Sequence, residues 1–222
     1  MQTNVFCVFF VIHAILCDNI DVNSPEFAEQ LYIKLFKRRR AEQLEAVKSF
    51  QKISSYEKQY SMIFLASEKI FSVIQESRAQ IEASGFIPGV SQFPTDEKAR
   101  DALSNILENT ALFTEILLRF PDISTTVLKL NNHWDVLLKW SIIFCNEAHN
   151  LLDKTTLKLL NLASQELNHT QRDPNYVNPY RKTAKVSNNN NNDANEDIKR
   201  EKRKKRKEIK RGPRLTNSHF EL

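Results

Sequence analysis

Between Ser54 and Gly85 the chain carries an apolar pattern that a helix satisfies and a strand does not. Tyr56, Tyr60, Ile63, Ser67, Ile70, Ile74, Ser77 and Ile81 recur at alternating spacings of four and three, which places them on one helical stripe. Phe64, Leu65, Phe71 and Val73 widen it. Ser54, with Glu57 three residues on, has the form of a capping box, and Gly85 is the expected stop. The uninterrupted apolar run Met62 to Ala66 leaves no polar side at mid-helix. The pattern therefore predicts a core helix surrounded by others, centred on Ile63, Phe64, Ile70 and Phe71. At 1.5 Å per residue, about thirty residues make a rod of roughly 45 Å, a length suited to a bundle.

Only three glycines occur in 222 residues, which argues against folds rich in tight turns. Because Gly85, Gly89 and Gly212 are scattered, no glycine-rich phosphate loop can be assembled from them. An all-α chain remains, of a length that fits one domain plus tails. The net charge is +5, yet Lys199 to Arg214 alone holds eleven basic and two acidic residues, so residues 1–198 carry −3. Basicity belongs to the C-terminal segment, and the folded surface is not expected to attract nucleic acid.

Val5 to Leu16 is an apolar run too short for a bilayer span, which needs about 20 residues, and a charged segment follows it. It reads as a signal peptide over residues 1–17, with Ile15 and Cys17 at the −3 and −1 positions and Asp18 as the new N-terminus; a buried N-terminal helix is the alternative. Cleavage would remove Cys7 and Cys17 and leave Cys145, which sits in the helical pattern near Trp140 and Phe144 and reads as a small buried hydrophobe.

The bundle is expected over residues 18–180. Ser24-Pro25 starts a first helix with Phe27, Leu31 and Leu35 on one face; Lys37-Arg38-Arg39-Arg40 then interrupts the apolar pattern, which resumes through Leu44, Val47, Phe50 and Ile53. The basic cluster is either a solvated face or a contact for an acidic partner. Phe86 to Pro94 is a turn-rich connector with apolar anchors. Thr95 or Asp96 caps a third helix with the stripe Ala99, Leu103, Ile106, Phe113, Leu117 and Phe120, ended by Pro121. A short element from Ser124 to Leu130 leads to a helix bearing Trp134, Leu138, Cys145 and Leu152. Asp153 caps a last one through Leu157, Leu160, Ala163 and Leu167. Asp173 to Tyr180 should be extended, since each Pro disfavours helix in its predecessor. The architecture expected is a compact bundle of about five to six helices, some long, followed over 181–222 by a disordered basic tail that contains the Asn188 to Asn192 tract.

Asn168-His169-Thr170 is an N-glycosylation sequon, read as permissive because composition alone produces about one in a chain of this length. His219, Phe220, Glu221 and Leu222 have the form of a retrieval signal of the early secretory pathway, with Phe220 in place of the usual acidic residue. Lys202, Arg203, Lys204, Lys205, Arg206 and Lys207 also have the form of a nuclear localisation patch, which makes a nuclear interaction protein the competing reading. No catalytic, cofactor or metal site is expected. His133, His149 and His169 form no pair at ligand spacing, and the chain has neither His-Glu-x-x-His nor Cys-x-x-Cys. Glu147 and His149, two apart, cannot face each other on a helix.

RRRAEQLEAVK at Arg38 to Lys48, FPTDEK at Phe93 to Lys98, ENTALF and LLRFP within Glu108 to Pro121, NHWDVLLKWSIIFCN at Asn132 to Asn146, QEL at Gln165 to Leu167 and KRKEIKRGPR at Lys205 to Arg214 together resemble the coiled-coil domain-containing protein 134 family. The resemblance implies a non-enzymatic helical adapter of the endoplasmic reticulum lumen, partly secreted, with no small-molecule substrate. It implies association with the lumenal Hsp90 chaperone endoplasmin at a translocon carrying oligosaccharyltransferase, where the chaperone is protected from excess N-glycosylation. A retrieval receptor would be a further partner, and nuclear and secreted signalling roles have also been attached to the family.

Overall fold

The computed structural model describes residues 24–181. In it α1 (Pro25–Phe50), α2 (Tyr56–Ala83), α3 (Glu97–Arg119), α4 (Pro121–Leu130), α5 (Asn132–Glu147), a 3-10 turn (His149–Leu151) and α6 (Lys154–Glu166) follow one another. This is the all-α bundle that the periodicity predicts. The expected signal peptide, the asparagine tract, the basic run and the last four residues lie outside the described residues. None of the described helices is long and apolar enough to cross a membrane.

Helix starts follow from capping chemistry. Ser24 Oγ accepts from the Phe27 amide at 3.1 Å, an Asp96 oxygen from Ala99 at 2.9 Å, and Asp153 from Thr156 at 2.8 Å, so each satisfies one of the amides that a first helical turn leaves without a partner. α2 departs from expectation by one residue. Ser55, not Ser54, accepts from the Lys58 amide at 3.4 Å. Three residues beyond Ser55 stands Lys58, which cannot return an acceptor, so no capping box forms and Glu57 serves only as first-turn charge. At the far end Gly85, at φ +71°, ends α2 as predicted.

The surrounded helix is α3. It packs against each of the other five and buries thirteen of its twenty-three residues, the predicted stripe from Ala99 to Leu117 among them; Phe120, just past the helix, is buried too. α2 buries seven of twenty-eight. Its stripe from Ile63 to Ile81 is buried as the spacing requires, but Met62 and Leu65 are 44% and 60% exposed, and Phe64 is half-buried. The apolar run therefore does not mark the centre. α2 presents one face to its neighbours, and residues on the opposite face stay in water whatever their side chains. Phe71 meets Phe113 at 4.7 Å between ring centres and stacks on Trp134 at 5.2 Å, which joins α2, α3 and α5.

α1 runs unbroken through the basic cluster, and its packed face is not the one expected. Tyr32, Phe36, Gln43 and Val47 are buried, whereas Leu31 and Leu35 are exposed. The difference is one residue, or about 100° around the helix. Tyr32 decides it, meeting Phe36 at 5.9 Å and the connector's Phe93 at 5.5 Å. Phe93 anchors that connector, while Ile87 and Val90 stay exposed. Gly89, at φ +74°, lies so close to α5 that a Cβ there would stand 2.7 Å from the Glu147 carbonyl oxygen.

α5 stops at Glu147, so Leu152 falls beyond it, after the 3-10 turn. The segment expected to be extended after Asp173 instead makes two turns. Asp173 Oδ1 accepts from the Asn175 amide at 2.8 Å, and Asn178 Oδ1 from Tyr180 at 2.9 Å, each side chain standing in for a turn carbonyl. Asn178 is buried, and its Nδ2 donates at 2.8 Å to the Leu118 carbonyl, one of those that the end of α3 leaves open.

Candidate functional site

Phe36, Arg40, Gln43 and Val47 recur at spacings of four, three and four, which turns Arg40 inward with the packed face of α1. On α3, Glu115 and Arg119 are four apart and share a face. Arg40 donates to Glu115 Oε2 at 2.7 Å, and Arg119 to Glu115 Oε1 at 2.5 Å, so each carboxylate oxygen takes one guanidinium. The three side chains are 11%, 13% and 6% exposed for Arg40, Arg119 and Glu115. Arg40 also donates to Gln43 Oε1 at 2.7 Å, and Gln43 Nε2 reaches the Glu108 carbonyl at 3.2 Å. The Arg119 guanidinium lies 4.5 Å from the centre of the Tyr180 ring.

A groove of about 310 Å³ opens beside this cluster, between α1, α3 and the start of α6. Leu44 and Leu159 form apolar wall; Thr155 and Asp153 border it. One carboxylate against two guanidiniums leaves one positive charge in excess. Asp153, the other carboxylate lining the groove, is engaged at the start of α6 with the Thr156 amide and hydroxyl. The Nε of both arginines has no partner among the described residues. Chemically the arrangement can fix α1 on α3 and present a positive border.

Outside the groove, Lys37, Arg38 and Arg39 are exposed. Arg38 and Arg39 share Glu42 at 3.4 Å, and Arg39 also pairs with Glu108 at 3.4 Å. Burial pushes the Glu108 carboxyl up, with Arg39 pulling the other way. The basic cluster thus divides: its first three residues are solvated, and the fourth is internal.

Asn168 is exposed at the end of α6. The basic residues Lys202 to Lys207 and the His219 to Leu222 terminus lie outside the described residues. The described histidines are dispersed: His133 and His149 are exposed on α5 and after it, while His169 Nε2 meets Asp135 at 3.0 Å. Cys145 is enclosed, and burial raises its thiol to about 12. The Arg40–Glu115–Arg119 cluster was not among the sequence expectations; the signal that could have found it is the pair Glu115 and Arg119, charged and four apart inside an otherwise apolar run.

Three comparisons bear on what this fold belongs to. The model of a family described as "ERK and JNK pathways, inhibitor" matches residues 19–216. A protein of Xenopus tropicalis named coiled-coil domain-containing protein 134 is 37% identical over 200 residues, 88% of this chain and 87% of the relative. The Mus musculus protein of that name is 34% identical over 198 residues, 87% and 86% of the two chains. No solved structure matches the chain. Neither name describes an enzyme; the family's is that of a regulatory protein. With the match running through the whole bundle, the chain belongs to the coiled-coil domain-containing protein 134 family.

Proposed function

We propose that the protein is a non-enzymatic adapter that enters the endoplasmic reticulum lumen and acts by binding other proteins, there or after partial secretion. Membership of a family described as an inhibitor of signalling pathways carries the adapter reading. The family match begins at residue 19, just beyond the expected cleavage after Cys17, which supports a mature chain starting at Asp18. It runs on through the basic segment to residue 216, so recognition is expected to use that segment as well as the bundle. By likeness to the family, the partner is endoplasmin at the oligosaccharyltransferase-bearing translocon, and the outcome is restraint of the chaperone's N-glycosylation. The charge of Lys199 to Arg214 suits an acidic protein surface, and an attraction of that kind is screened by salt.

N-terminal sequencing tests the compartment: Asp18 is expected, and an intact Met1 overturns the lumenal reading in favour of the nuclear one. Endoplasmin pull-down across a salt series tests the partner. Binding should weaken with salt, and neutralising Lys202 to Lys207 should weaken it further. Absence of endoplasmin at low salt with the native chain removes that partner.

The family description favours a second reading, lowered ERK and JNK signalling. A chain delivered to the lumen meets those pathways only from outside the cell, after secretion. Purified protein added to culture medium should then reduce ERK and JNK phosphorylation. A reduction seen only when the protein is expressed without residues 1–17 would assign the effect to the cytoplasm or nucleus.

A further inference from the structure

The sequon just past α6 has a specific geometry. α6 ends in a left-handed residue, and that residue is Asn168, at φ +56°. The His169 amide donates back to the Ser164 carbonyl at 2.9 Å and the Asn168 amide to Gln165 at 3.3 Å, the paired bonds that close a helix on a left-handed position. Asn is among the few side chains that adopt this conformation readily. The three sequon residues then part company. His169 turns inward and is held by Asp135 at 3.0 Å, while Asn168 and Thr170 on either side of it are exposed. The residue that would carry a sugar and the one whose hydroxyl recognition requires are both exposed, and the residue between them anchors the segment to α5.

Asn168 also borders a groove of about 380 Å³ between α4, the start of α5 and the end of α6. Its size lies within the range of about 300–1,000 Å³ typical of clefts for small molecules. Lys129, Asn132, Asp135 and Glu166 place donors and acceptors along it, and Leu128 supplies an apolar wall. A sugar ring has the matching make-up, with hydroxyls around its edge and an apolar C–H face.

We propose that Asn168 carries an N-linked glycan whose first sugar lies against this groove. The proposal rests on the chain entering the lumen. The donor is an oligosaccharide joined through pyrophosphate to a polyisoprenyl lipid. The bond between its anomeric carbon and the phosphate oxygen breaks, and a bond from that carbon to Asn168 Nδ2 forms. The amide gives up one proton to a base of the transferase, and the lipid pyrophosphate leaves. Transfer takes place on the nascent chain; the folded bundle then has to tolerate the product, and Asn168, just past the end of α6, is exposed.

Asn168-His169-Thr170 is the only Asn-X-Ser/Thr in the 222 residues, so the test is all or none. The full-length secretory chain should lose one glycan's worth of mass with an N-glycosidase. Thr170→Ala, an exposed change that leaves the α6 terminus intact, should abolish the shift, and Thr170→Ser should restore it. Protection from added protease, with the N-terminal sequence, reports lumenal delivery separately. A second form, with residues 1–17 replaced by an established cleavable signal sequence, forces delivery. A protected chain without the shift in that form overturns the glycan and leaves the adapter reading standing. For the groove, trimming to a single sugar should keep the thermal midpoint of the fully glycosylated protein, above that of Thr170→Ala. Equal midpoints for all three would place the sugar in solvent and overturn its seat.

Discussion

Replacing Glu115 by Gln removes one charge and almost no volume from the most enclosed ion cluster of the described bundle. The carboxylate serves Arg40 on one oxygen and Arg119 on the other, with all three side chains nearly nine-tenths buried or more. A glutamine keeps one acceptor oxygen but turns an NH2 toward the second guanidinium, so donor faces donor while two positive charges stay together in a low dielectric. Breaking a buried pair on one side costs about 3–5 kcal/mol, a large part of the ~5–15 kcal/mol that holds a domain folded. At about 2–4 °C per kcal/mol for a chain of this size, the thermal midpoint should fall by about 6–20 °C. Arg40→Met, which leaves Glu115 paired one-to-one with Arg119, should cost no more than about half as much; a well-packed apolar replacement of all three should be nearly neutral. Urea unfolding followed by far-UV circular dichroism measures each loss as a change in midpoint at constant slope. A loss below about 1 kcal/mol for Glu115→Gln would mean the cluster behaves as a surface ion pair. So would a difference that vanishes near 1 M salt, where the screening length is about 3 Å.

The two left-handed glycines should separate under substitution: Gly85→Ala costs the ~1–2 kcal/mol of a strained backbone alone, whereas Gly89→Ala must also displace the Glu147 carbonyl and should cost clearly more. Equal thermal shifts would contradict that close approach. Because burial raises the Glu108 carboxyl, its protonated form favours the fold; the stability it lends is full below the ordinary carboxylate range and is lost as pH rises through the raised value. Glu108→Gln should therefore be as stable as the native protein in acid and more stable at neutral pH, and a variant weaker at neutral pH would show that the Arg39 pair dominates. Cys145, its thiol raised to about 12 by burial, should resist iodoacetamide in the native state at pH 8 and react fully in urea, as mass spectrometry of its peptide would report. Rapid native labelling would place the thiol near the surface.

What the sequence made legible was local. Asp96 and Asp153 announce their helices because capping is decided within four residues, and the α3 stripe is read correctly because every position on it packs. Rotation about a helix axis is not local, and the pattern alone does not fix it. Phe27, Leu31 and Leu35 make as good a stripe on paper as Tyr32 and Phe36; the choice is made by Phe93, which lies more than fifty residues away. The same one-residue turn carries Arg40 from a solvated row into the groove. Met62 and Leu65 mislead for a related reason: an apolar side chain reports that it can be buried, and only a neighbour decides that it is. Asn168 was legible as a pattern, but its exposure and the groove beside it depend on how α4, α5 and α6 meet.

The Arg40 contact to Glu115 spans 75 positions, and Asn150 to Glu29 spans 121. A ribosome adding about 5–20 residues per second needs about 4–15 s to travel from one end of the first of these contacts to the other. For most of that interval α1 is complete yet has no full α3 to close upon, and Tyr32, Phe36 and Val47 remain open to other apolar surfaces. α1 cannot close on its partner as it emerges, because the helix that follows it is not the one it packs against. The bundle's middle helix is the surface on which the earlier ones are finally ordered, so release from the ribosome should find the molecule folding late and largely in one step.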